Sequence, residues 1–134
     1  MKVLGPLPEA FDRFERDLLA QQIRTGCGFL AGYMAIPAAR ELLVKLGSRI
    51  LKTVRRIARG IPSGGRALVI SHSGVIEAAA MAARGTADPS FLLPELGHLE
   101  GVVIELVDDV VRQVRVLRLP GGVAEPHALP GGSA

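Results

Sequence analysis

The residues of this chain best arranged for chemistry are Ser71-His72-Ser73-Gly74. Four apolar residues, Ala67-Leu68-Val69-Ile70, run directly into them, and Val75-Ile76-Glu77-Ala78-Ala79-Ala80 follows. An apolar run that can be buried on both faces reads as a central parallel strand, and the Ala-rich continuation reads as a helix. Strand, tight turn and helix together aim free backbone N–H groups, and the positive end of a helix dipole, at an anion. His72 stands at the mouth of that turn, at the carboxyl end of the strand, where open α/β sheets bind their ligands. The chemistry this points to is recognition of an oxyanion, with the His72 imidazole, Ser73 and the Gly74 amide as donors.

The rest of the sequence supplies elements to hold the turn. From Pro8 to about Ile23, Phe11, Phe14, Leu18 and Gln22 follow a three-four spacing, with Asp12, Arg13, Glu15, Arg16 and Asp17 largely on the other face; this predicts an amphipathic helix. Thr25–Ile36, rich in Gly and small residues, reads as a loop or a helix broken by glycine. Pro37–Arg59 is the clearest helix, with Leu42, Leu43, Leu46, Ile50, Val54 and Ile57 in one apolar stripe and Gly60 and Pro62 as its stop. Gly47 lies inside it and marks close packing or a break. Ser63-Gly64-Gly65 turns into the Ala67–Ser71 strand, and the helix after that spans about Gly74 to Ala83, with Ser73 as its N-cap. Thr86–Gly97 reads as a loop. Two β-rich segments, Gly101–Val107 and Val110–Leu119, flank an Asp108-Asp109 hairpin turn.

Composition bounds the function classes. A chain of 134 residues is about one domain. At 49% hydrophobic residues it is globular, and at 4% aromatics without Trp its core must be Leu, Val, Ile and Ala. The formal charge of +3 is concentrated between Lys45 and Arg59. That run reads as a solvated helix face, and with no aromatics interleaved there is no platform for base stacking, so nucleic acid is not the expected partner. A single cysteine, Cys27, excludes a disulfide framework or zinc set within one chain and fits a reducing cytoplasm. Met1–Leu4 is too short for a signal peptide, and no apolar run reaches the ~18 residues of a membrane span. No metal or organic cofactor is expected. Residues 120–134, with Pro120-Gly121-Gly122 and Pro130-Gly131-Gly132, read as a disordered tail.

An apolar strand ending in Ser-His-Ser-Gly, with Val75-Ile76 opening the next helix, resembles the second conserved histidine motif of the histidine phosphatase superfamily, which includes the cofactor-dependent phosphoglycerate mutases. Members typically read apolar strand, Ser-His-Gly-Gly, Val-Ile. The resemblance runs back through the long helix and the Pro62-Ser63-Gly64-Gly65-Arg66 turn. It runs forward through Gly97-His98-Leu99-Glu100-Gly101 into the closing strands, about two thirds of the chain. It implies part of a three-layer α/β/α phosphoglycerate mutase-like fold, with a mostly parallel sheet and a C-terminal hairpin, in a single N-terminally incomplete domain over residues 1–119. It also implies phosphoryl transfer to or hydrolysis of a phosphomonoester, with His72 hydrogen-bonding the transferring phosphoryl group and a phosphorylated small molecule as partner. Leu7-Pro8-Glu9 lines up with the family segment in which an acid follows a leucine by two positions, which makes Glu9 the general-acid candidate.

The departures from the family are specific. The sequence holds no Arg-His-Gly, the motif that carries the family's nucleophile, and no Ser-x-Leu-x-Arg-Ala segment for its second arginine. Ser73 replaces a common glycine. Without a nucleophilic histidine the covalent route is lost, so the expectation is a chain inactive by itself. Two alternatives remain. One is a non-catalytic phosphate-binding or protein-interaction module. The other is a serine hydrolase with Ser73 as nucleophile and Asp108 or Asp109 and His127 as partners, in which Val75 occupies a position where the nucleophile elbow needs a small residue. With the family's first strand missing, Ala67–Ser71 would present an unpaired apolar edge, and a homo-oligomer through that edge is expected.

Overall fold

The computed structural model describes residues 2–3 and 8–120. Its elements run β1 (Lys2–Val3), a 3-10 turn (Glu9–Phe14), α1 (Glu15–Thr25), α2 (Phe29–Met34) and α3 (Pro37–Arg59). They continue with β2 (Val69–Ile70), α4 (Val75–Arg84), a second 3-10 turn (Pro89–Leu92), β3 (Gly101–Val107) and β4 (Val110–Leu117). The chain is of mixed α/β class. Of the expected tail, 120–134, only Pro120 is described; 121–134, and Leu7 of the expected acid segment, lie outside the described residues.

Local sequence explains most boundaries. Pro37 opens α3 at its first turn, where its missing N–H costs nothing. Gly26 at φ 71 ends α1 in the left-handed conformation. Asp88 caps the second 3-10 turn by accepting from the Ser90 N–H at 2.9 Å. The segment Thr25–Ile36 is a helix broken by glycine rather than a loop, since α2 restarts at Phe29. Asp108 and Asp109 both take positive φ (52° and 67°), the pattern of a two-residue hairpin turn whose twist matches its strands. Glu105 pairs with Gln113 and Leu106 with Val111, so Arg112 is the extra residue of a bulge.

The core is organised around a helix, not a sheet. Val75, Ala78, Ala79, Ala80 and Met81 of α4 are all buried, as is Glu77. One side of α4 packs on α3 through Ala39, Leu43 and Leu46; the other meets the β3–β4 hairpin, where Val102, Val114 and Val116 lie against the same cluster. A helix flanked on two sides must be apolar nearly all round, and alanines let both neighbours approach. Phe11, Phe14, Leu30, Tyr33 and Leu92 close the cluster at one end.

Two expectations are corrected here. The described strands do not form one mostly parallel sheet between two helix layers. They form two separate two-stranded ladders, the larger being the antiparallel β3–β4 hairpin. The parallel component is only β1 against β2, in the register Lys2↔Val69 and Val3↔Ile70. Nor is Ala67–Ile70 a buried central strand. Only Val69–Ile70 is extended in a ladder, Leu68 is 66% exposed and Ile70 43%. The physical reason is that an apolar run is buried only when other elements cover it, and α4 is covered by α3 and the hairpin instead.

Candidate functional site at the His72 turn

The turn is built from β2, residues 71–74 and α4. Upstream, the Gly65 N–H donates to the Pro62 carbonyl at 2.8 Å and Gly64 takes φ 80, a conformation a side chain would strain. This reverses the chain after α3 and sends it into β2. The chain then turns again at Gly74, with φ 89 and ψ −48, which only glycine adopts readily. His72 and Ser73 lie on the exposed side of that turn; Gly74 is buried.

The backbone donors at the start of α4 are already engaged. The His72 carbonyl accepts from Val75 N–H at 3.1 Å and Ile76 N–H at 3.2 Å. The Gly74 N–H donates to Glu77 Oε2 at 2.5 Å. Gly74, not Ser73, is the N-cap residue, and Glu77 reaches back three residues to supply an acceptor for its N–H. The Gly74 amide, expected to face a phosphate, faces an internal carboxylate.

Glu77 is fully buried, and its Oε1 has no hydrogen-bond partner among the described residues. Burial pushes its carboxyl above the ordinary carboxylate range, and the charge of Glu95 adds to that. The N–H groups of Glu77 and Gly74 and the charge of Arg118 pull in the opposite direction without cancelling it. Ser71 Oγ is likewise buried without a partner among the described residues.

Around Glu77 lies a polar cluster that sequence reasoning did not assemble. Glu95 Oε1 accepts from the Leu30 N–H at 2.7 Å and so caps α2 from 65 residues away. Glu100 accepts from the N–H groups of Gly97 and Leu119, each at 2.9 Å, and from Arg118 at 3.1 Å. Burial raises the Glu100 carboxyl, but those two N–H groups and Arg118 outweigh it and hold it below the ordinary range. Arg118 also donates to the carbonyls of Leu92, Pro94 and Glu95, fastening the 92–100 loop to the end of β4. Each carboxylate satisfies backbone N–H groups, which is structural work. The signal available beforehand was the three-residue spacing of Gly74 and Glu77, and of Gly97 and Glu100, the capping-box interval.

The remaining expected residues fall as follows. Glu9 is exposed in the first 3-10 turn, and no hydrogen bond or ion pair among the described residues joins it to His72. His98 is exposed in the turn before β3, and His127 lies outside the described residues. Asp109 is held at two points by Arg59, at 3.2 and 2.6 Å, at the tip of the hairpin, so its carboxylate is committed there. Two surface hollows lie away from the turn, one between α2 and α3 beside Met34, Arg40 and Val44, the other over α1 beside Asp12, Arg16 and Leu19. Among the described residues, no group of three or more His, Cys, Asp or Glu is placed to hold a metal ion, and no helix is long and apolar enough to cross a membrane.

Comparison of the chain with protein-family models, with curated proteins and with solved structures finds no match in any of the three.

Proposed function

We propose that the His72 turn is a phosphate-binding site of the histidine phosphatase type, taking the phosphoryl group of a phosphorylated small molecule. The observation that carries this reading is the local one: a strand that ends at Ile70, an exposed His72 and Ser73 directly beyond its carboxyl end, and a helix that begins at Val75. With no Arg-His-Gly in the 134 residues, the reading is one of binding rather than covalent transfer. Because Glu77 takes the Gly74 N–H, the ligand contacts come from the His72 ring and the Ser73 hydroxyl on the solvent side. Titration of the chain with inorganic phosphate, followed by NMR at the His72 ring and the Ser73 amide, tests this. Saturable shifts that His72→Ala abolishes are expected; equal shifts in His72→Ala reject the site.

A second reading concerns partners. Leu68 and Ile70 are exposed, and β2 has a ladder partner on one edge only among the described residues. We propose that a second copy of the chain pairs there. The parallel β1–β2 pair is the single feature of a three-layer, mostly parallel phosphoglycerate mutase-like sheet found in the described ladders, and strands added at β2 are what such a sheet would need. Ile70→Lys should shift the oligomer to monomer in sedimentation; a monomeric parent chain would remove this reading.

A further inference from the structure

We propose that the exposed face of α3 is a binding surface for the phosphate backbone of a nucleic-acid duplex. Lys45, Arg49, Lys52, Arg56 and Arg59 are all exposed. Their spacing of four, three, four and three residues keeps them within about 80° of arc along about 21 Å of helix. After Glu41 the helix contains no acidic residue. The two ends of the stripe are ion-paired, Lys45 with Glu41 at 3.2 Å and Arg59 with Asp109 at 2.6 Å. The middle three, Arg49, Lys52 and Arg56, have no ion pair among the described residues.

The occupant follows from what flanks the stripe. Ser48 and Thr53, beside it, are polar. The apolar side of α3 is spent on the core through Leu43, Leu46 and Leu51. An interfacial membrane helix inserts exactly such an apolar face between headgroups, and here that face is unavailable. No aromatic residue stands among the cations, so single-strand stacking has no platform. What remains is a straight, rigid row of positive charge, mostly arginine, whose planar forks suit phosphate oxygens. A duplex offers phosphates densely along a line and needs neither stacking nor insertion. The charge run taken alone reads as a solvated face; its alignment on one side, with its centre free of acids, is what the structure adds.

The test is fluorescence anisotropy with a labelled duplex of about 20 base pairs at rising salt. Three released counterions give a log–log slope of about −2.7, or about forty-fold weaker binding between about 50 and about 200 mM salt. Arg49→Ala/Lys52→Ala/Arg56→Ala should lose binding at least tenfold and flatten the slope. Arg13→Ala/Arg16→Ala/Arg24→Ala, which removes the same charge from the first 3-10 turn and α1, should bind within about threefold of the parent. Circular dichroism confirms that both variants fold. Absent or salt-insensitive binding overturns the proposal, as does equal weakening in the two triple variants, which would reflect net charge alone. Tighter binding to polyglutamate, or to phosphatidylcholine vesicles containing about one-third phosphatidylserine, overturns it in favour of an acidic protein or a membrane.

Discussion

Replacing Gly47 by alanine should destabilise the chain, although alanine is the better helix former. Gly47 is buried in α3, and a Cβ built on it would stand 2.3 Å from the Ala78 carbonyl oxygen, 2.9 Å from the Ala78 carbonyl carbon and 3.2 Å from the Ala82 Cβ. The first two obstacles are backbone atoms of α4, held in the helical ladder, and cannot rotate aside. Carbon–oxygen contacts need about 3.3 Å, so α3 and α4 would have to separate locally by about 1 Å. A gap of that size forfeits a quarter to a half of each dispersion contact across the interface, which includes Leu43, Leu46, Ala78 and Met81. The helix propensity gained is about 1 kcal/mol, while forced overpacking costs about 1–3 kcal/mol, and lost packing adds to the cost. The expected net loss is about 2 kcal/mol, a drop of about 1 M in the urea midpoint. The chain has no Trp, so helical circular dichroism is the suitable probe. Ser48→Ala, exposed on the next position of the same helix, is the control and should gain a few tenths of a kcal/mol. If Gly47→Ala stabilises as Ser48→Ala does, the α3–α4 contact is not as close as described, and the placement of the His72 turn by α4 loses its support.

Two further substitutions probe the polar cluster. Glu77 has a raised pKa, so its contribution is fully present below the ordinary carboxylate range and is lost as pH rises through its folded value. Glu77→Gln keeps an acceptor for the Gly74 N–H and removes that loss, so the thermal midpoint of the variant should gain on the parent as pH rises and then run parallel; a difference independent of pH would contradict the burial argument. Arg118→Ala leaves Glu100, whose side chain is 5% exposed, without its cation and frees the 92–100 loop, and should cost about 2 kcal/mol or more. Glu100 has a lowered pKa, so its stabilisation is lost as pH falls through its folded value. Without Arg118 this acid loss should begin at higher pH, and an unchanged acid limb in denaturation would refute the pairing.

What was legible in the sequence was local. Pro37 and Gly60 bracket α3, and the apolar stripe through Leu43 and Leu46 faces the core as its spacing implied. The Asp108-Asp109 turn, the Gly64 turn and the Phe11–Phe14–Leu18 face also follow from residues within a few positions of one another. What failed depended on partners far along the chain. Ala67–Ile70 has the composition of a buried strand, but composition does not say whether anything covers it, and Leu68 and Ile70 stay exposed. Ser73 is a good N-cap by type, yet α4 starts one residue later, with Gly74 as the N-cap and the Gly74 N–H taken by the Glu77 carboxyl. Glu95 carries no pattern, because the N–H it satisfies, on Leu30, is 65 residues away. Glu100 repeats the three-residue interval with Gly97, but its bond to the Leu119 N–H, 19 residues on, has no local signal.

The capping of α4 by its own carboxylate sets what the His72 turn can do. A helix N-terminus offers about half a unit of positive charge, and Glu77, when ionised, more than neutralises it at the position where the Gly74 N–H points. A phosphate approaching His72 therefore gains little from the α4 dipole and is repelled by an ionised Glu77 close behind the turn. Its binding must come from the His72 ring and Ser73, the two exposed polar side chains of the turn. This makes the imidazole the deciding group. Were the helix terminus open, deleting His72 would leave backbone donors to hold the anion; with that terminus filled from within, deleting it should leave almost nothing.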